Sequence, residues 1–200
     1  RAIAHYSVTL GRGLLAPMDR KQELAALYLM RGDRASAQHL LEDIVSRDPH
    51  HIGAHYRLGT IARDGGDRAS AVAHWRHALE QGTPRAGGGD HELVLRAALD
   101  LGAALESNGS MDQAHAVYLL GVERSPGSAE LLIRSAAVEC RLGMDDQAIL
   151  HYEQALQLTG GAPMLYNNLG ALYLRKGMPE LARPHFQRLA EISPEDVRVR

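Results

Sequence analysis

Eleven histidines and a single cysteine are the residues from which this chain would have to build chemistry. An imidazole can ligate a metal or exchange a proton near neutral pH. His74 and His77 stand three residues apart, and His51 and His55 stand four apart. On a helix each pair shares a face and offers two nitrogens, but neither pair brings an evident third ligand. Cys140 alone excludes an internal disulfide and any multi-cysteine metal cluster. The glycine run Gly87, Gly88 and Gly89 follows no strand pattern, so it does not read as a phosphate-cradling loop. No nucleophile with a positioned base is recognisable. The expectation is therefore no metal, no cofactor and no catalysis, with half-buried or surface histidines that leave room for a pH response between about 5 and 7.

Composition narrows the partners. Lys and Arg total 22 against 24 Asp and Glu, a formal charge of −2. Acids and bases are interspersed. A general nucleic-acid grip needs a basic excess to displace counterions from phosphates, and none is present. No apolar run approaches the roughly 20 residues that span a bilayer. One Phe and one Trp leave the core to small and aliphatic side chains. The single cysteine leaves the compartment open between cytoplasm and periplasm.

The elements that must position these side chains are legible as a repeat. Gly32, Gly66, Gly109, Gly143 and Gly177 each follow a helix-compatible stretch, at spacings of 34, 43, 34 and 34 residues. Five residues after each comes Ala37, Ala71, Ala114, Ala148 or Ala182, and four later Leu41, Trp75, Tyr118, Tyr152 or Phe186. Seven residues before each glycine is Ala25, Gly59, Gly102, Ala136 or Gly170, preceded in four cases by Leu24, Leu58, Leu101 or Leu169. The glycine permits a positive φ where one helix stops. The alanine lets two helices cross closely, and the bulky residue one turn on fills the space beside them. Pro49, Pro126 and Pro194 close three of the units.

This pattern resembles the tetratricopeptide repeat family, most fully in Tyr166, Leu169, Gly170, Tyr173, Ala182, Phe186 and Pro194. The resemblance implies an all-α fold of helix pairs stacked as a right-handed superhelical solenoid. The expected repeats are 18–51, 52–85, 95–128, 129–162 and 163–196. Residues 1–17 look like a lone second helix, 86–94 like a Gly-rich insertion capped by Asp90, and 195–200 like the first turn of a further helix. The open half-repeats suggest a segment of a longer array, or copies stacking end to end. Repeat four departs most, with Ser135 and Glu139 at core positions. A core Glu has to be paired or neutral, and a nearby Arg or a local helix rotation is expected.

Function follows from the resemblance. It implies a protein-interaction scaffold that holds a peptide or partner helix against the first helices of its repeats. Mapping the family's ligand-facing positions selects Tyr56, Arg57, Asp100, Arg134, Arg141, Asn167, Asn168 and Arg175 as candidate binding residues. Sixth positions Glu23, Arg57, Asp100, Arg134 and Asn168 alternate in sign, which suggests a ladder of neighbouring salt bridges. Acids gather toward the N-terminal half, and Arg134, Arg141 and Arg175 with the two asparagines toward the C-terminal half. That polarity points to an acidic side chain or terminal carboxylate as ligand. Two narrower family functions do not fit. The clamp for chaperone C-termini would need Lys and Asn where Leu99, Ala103 and Met164 stand, and the asparagine ladder of glycosyltransferases is matched only by Asn168. The alternatives are a recognition arm of a larger glycosyltransferase or protein-modifying enzyme, and a self-assembling or envelope-export scaffold. His74, His151 and His185 share one repeat position, but adjacent repeats hold them on the order of 10 Å apart, too far to share an ion.

Overall fold

A computed structural model describes residues 18–82 and 90–193, and every regular element among them is a helix. The expected lone helix in 1–17, the body of the Gly-rich insertion at 83–89 and the last turn at 195–200 lie outside the described residues. The chain divides into two compact units, Arg1–Ala104 and Leu105–Arg200. The first holds α1 (Met18–Met30), α2 (Arg34–Arg47), α3 (Ile52–Asp64), α4 (Arg68–Gln81) and most of α5 (Asp90–Ser107). The second holds α6 (Met111–Arg124), α7 (Ala129–Leu142), α8 (Asp145–Thr159), α9 (Pro163–Arg175) and α10 (Pro179–Ile192). Along α1 to α4, and again along α6 to α10, each helix packs on the next. Asp90 is the first residue of α5 instead of a cap ahead of it, and Leu93 and Val94 fall within the helix as expected.

Each hairpin turn is built the same way. Gly32, Gly66, Gly109, Gly143 and Gly177 hold φ between +73° and +83°. The next residue's amide then reaches back five residues, as Asp33 N to Tyr28 O and Met144 N to Glu139 O do at 2.9 Å. That bond satisfies a carbonyl which the ending helix leaves free. In the first unit the turn also starts the following helix. Asp33 accepts the Ser36 amide at 3.1 Å, and Asp67 accepts the Ser70 amide at 3.0 Å. These are side-chain N-caps.

The repeat positions are packing positions. The five alanines are at most 2% exposed, and Leu41, Trp75, Tyr118 and Tyr152 at most 4%. Phe186 is half-buried. A Cβ at Gly59 would lie 2.6 Å from Trp75 Cδ1, and one at Gly170 would lie 2.6 Å from Phe186 Cζ. The ring from the second helix of a pair therefore rests on bare backbone of the first. Around these contacts Leu41, Ile44, Leu58 and Ile61 form the first unit's core, and Leu132, Ile149, Tyr152, Leu165, Leu169 and Leu172 the second's.

Candidate binding faces

In the first unit α3 presents Tyr56 and Arg57, and α5 presents Asp100. The Tyr56 hydroxyl donates to Asp100 Oδ2 at 3.0 Å. Burial and then the Asp100 charge push the Tyr56 phenol up, so it stays a protonated donor. Arg63 Nη1 lies 3.7 Å from Asp100 Oδ1, and its Nη2 pairs with Asp64 at 3.0 Å. Arg57 turns inward, half-buried, and donates to the Gly53 carbonyl at 3.0 Å. Arg57 and Asp100, neighbours in the expected sixth-position ladder, are thus bonded to other groups. The ion pairs around Asp64 and Asp100 run from Arg34 to Asp64 at 3.2 Å and from Arg63 to both. Arg34 and Arg63 lie beside the hairpin turns, where long side chains reach the neighbouring pair.

In the second unit α7 carries Arg134 and Arg141, and α9 carries Asn167, Asn168 and Arg175. Two of the three arginines are already fastened. Arg141 donates to Glu106 Oε2 at 3.1 Å, while Glu106 Oε1 accepts the Tyr118 hydroxyl at 2.7 Å. Arg175 forks onto both oxygens of Asp145, with Nε donating at 2.8 Å. Asn168 is half-buried beside the Tyr152 hydroxyl. Arg134 and Asn167 are exposed, and neither side chain has a hydrogen bond or ion pair among the described residues. The locking carboxylates are 35 and 30 residues away from Arg141 and Arg175 in the sequence. Counting charges along one face could not find them.

The departures of repeat four prove to be one feature, and the expected arginine is not its partner. Glu139 is fully buried on α7. His115 Nε2 on α6 meets its Oε1 at 2.9 Å, and His151 Nδ1 on α8 meets its Oε2 at 2.9 Å. The Ser135 hydroxyl, one turn back, donates to Oε1 at 3.1 Å. Burial works to raise the Glu139 pKa, but the donors His151 and then His115 outweigh it and hold the carboxyl below its ordinary value. One carboxylate therefore staples three helices. His115 carried no sequence signal, because its role exists only once α6 and α7 are in register.

The two histidine pairs of the first unit also meet. His55 is buried against His74 and His77, although surface or half-buried positions were expected. Among the described residues no group of three or more His, Cys, Asp or Glu is placed to hold a metal ion. No described helix is long and apolar enough to cross a membrane.

Short helical hairpins with glycine stops and alanine crossings define the class of protein, and comparison with known proteins names it. The tetratricopeptide repeat model matches residues 23–90, 56–129 and 146–197, and the chain belongs to that family. Among solved structures it resembles YrrB, described as a TPR protein with an unusual peptide-binding site. That match has a TM-score of 0.70 at 17% identity and covers 95% of this chain and 93% of that one. It also resembles MamA (residue 41 to the end) of Desulfovibrio magneticus RS-1, with a TM-score of 0.62, 18% identity and coverages of 90% and 97%. PilF of Pseudomonas aeruginosa matches with a TM-score of 0.60 at 19% identity, over 87% of this chain and 75% of that one. At these identities the likeness is one of fold. A comparison with curated proteins gives no match.

Proposed function

We propose that this tetratricopeptide chain is a protein-interaction scaffold without catalytic activity, and that its α7–α9 face selects an acidic side chain or a peptide carboxylate. The observation behind this reading is the contrast among the arginines. Arg141 and Arg175 are spent on Glu106 and Asp145, whereas Arg134 is exposed and unpaired, with the exposed amide of Asn167 on the next first helix. A free guanidinium receives a carboxylate bidentately, and an amide adds a directional donor. Tyr56, Arg57 and Asp100 form a separate, internally satisfied face in the first unit, which offers polar contact without net demand for charge.

Binding of labelled acidic peptides with a free C-terminus, compared with neutral amidated ones, tests this. Arg134→Ala should weaken the acidic peptides at least about tenfold, the size of one charged hydrogen bond, and leave the neutral ones unchanged. Equal affinity of the wild type for both peptide sets, or an unaffected Arg134→Ala variant, removes the reading.

A second reading, self-association, rests on exposed apolar side chains around the α9–α10 turn. Leu174, Met178 and Leu181 are 52%, 42% and 50% exposed. Such a cluster covers itself favourably against another copy. Light scattering over a concentration series should show mass rising with concentration, and replacing Leu174 and Leu181 with Ser should abolish the rise. A constant monomer mass ends this reading.

A further inference from the structure

Five of the eleven histidines gather at one joint of the first unit, between the 48–51 turn, α3 and α4. The Pro49 carbonyl lies at its centre. His55 Nε2 is 2.9 Å from that oxygen and His77 Nε2 is 2.7 Å from it. A carbonyl only accepts, so both Nε2 atoms carry hydrogen. Neutral His55 then has a lone pair on Nδ1, which faces His74 Nδ1 at 3.0 Å. His74 must donate there from Nδ1. His51 accepts the Ala54 amide on its own Nδ1 at 3.1 Å, capping α3. The His50 ring stacks on His77 with centroids 5.9 Å apart, and the His77 ring lies 4.1 Å from that of His55. Every tautomer in the chain from Pro49 to His74 is fixed by its partner.

This arrangement has room for at most one extra proton on the His55–His74 pair, not for the two that free imidazoles would take. A hydrogen on His55 Nδ1 keeps an acceptor only if His74 shifts its own hydrogen to Nε2, and a second proton then sets two donors and two like charges 3.0 Å apart. The surrounding groups give little relief. His51 and His77 face His55 with like charge whenever they are protonated, and only Glu42 on α2 and Asp67 before α4 oppose charge on His74. His74 also lines an open cleft of about 480 Å³, which gives protons a route to the joint.

We propose that this histidine joint is proton-operated: near neutral pH the neutral imidazole chain fastens α3 and α4 to the Pro49 turn, and acid releases them. Tyr56 and Arg57 follow His55 directly on α3, so release would also free the first unit's polar face. Burial first, and with it neighbouring imidazoles, draw both His55 and His74 below the ordinary 6.5, against the Pro49 hydrogen bond that favours charge on His55. The unfolded chain therefore binds more protons than the folded one below pH 6.5. The stabilisation is complete above that value and is lost as the pH falls beneath it.

Trp75 is the sole tryptophan, adjoins His74 and reports the first unit alone. Denaturant unfolding of the full chain, followed by its fluorescence, should show an unfolding constant that rises from pH 7.5 to pH 5.5. The expected rise is about tenfold for each imidazole that stays neutral in the folded state. In the His55→Gln, His74→Asn variant, amides replace the two donors without titrating, and the rise should disappear. A wild type with no rise, or a variant that keeps it in full, overturns the proposal. Should the variant not fold, imidazole nitrogen NMR of the wild type decides. His55 protonated on Nε2, His74 protonated on Nδ1 and both neutral below pH 6.5 is the expected result. Titration of both at or above 6.5 overturns it.

Discussion

Trp75→Ala lowers the stability of the first unit by about 3–5 kcal/mol, the cost of removing a large buried aromatic whose surroundings cannot close. The indole is 1% exposed and lies on Gly59, so truncation leaves a void floored by backbone that cannot move inward without dragging α3. Arg63 loses its place over the ring, where its Cζ lies 5.7 Å from the centroid. The reverse change at the same contact overpacks it. Gly59→Ala sets a methyl 2.6 Å from the indole and should cost about 1–3 kcal/mol. Trp75→Phe is the milder test, because the indole Nε1 has no hydrogen-bond partner and its removal orphans nothing. Helices in such arrays contact only their neighbours, so damage stays local before it spreads. Circular dichroism should then show the Trp75→Ala chain melting in two steps, the first well below the wild-type midpoint. A single transition shifted by less than about 4 °C, the equivalent of under 1 kcal/mol, would contradict this account of the packing.

What the sequence made legible were the steric rules of the hairpin, because they are local. A glycine at the end of a helix, an alanine at the crossing and a ring over a small residue are each dictated by backbone within one pair. Gly143 holds the positive φ and Ala148 the burial that the spacing predicted. The polar architecture was not legible, for a physical reason. His55 meets His74 across 19 residues and His115 meets Glu139 across 24, and both contacts depend on how two helices are rotated about their axes. A repeat pattern names the face of a helix but not which opposing side chain its polar atoms will touch. The same gap applies to the candidate site. Three arginines with equal claims from position separated into two locked and one free only when Glu106 and Asp145 were located in space.

Glu139→Ala should destabilise the second unit by about 3–5 kcal/mol, since removing one partner from a buried polar network leaves the others stranded. His115, His151 and Ser135 all direct donors at this carboxylate. With it gone, the buried Ser135 hydroxyl and two largely buried imidazole N–H groups, on three helices, lose their acceptor. The network is expensive to break yet not needed for the fold, as its neighbour shows. In the preceding repeat, Leu101 and Leu105 occupy the positions of Ser135 and Glu139, and Val117 that of His151. Replacing Ser135 and Glu139 with Leu, His151 with Val and His115 with Ile should therefore recover most of the loss, because an apolar set of matching volume has no donors to satisfy. Strong non-additivity between Glu139→Ala and the fourfold variant is the expected signature of groups acting as one unit. The pH dependence has a definite sign. A carboxyl held below its ordinary 4.5 stabilises fully above that value, and the stabilisation fades as the pH falls through the folded pKa. The gap in stability between wild type and Glu139→Gln should thus close as the pH falls below about 4.5. If Glu139→Ala costs less than about 1 kcal/mol at pH 7, the carboxylate does not hold α6, α7 and α8 together.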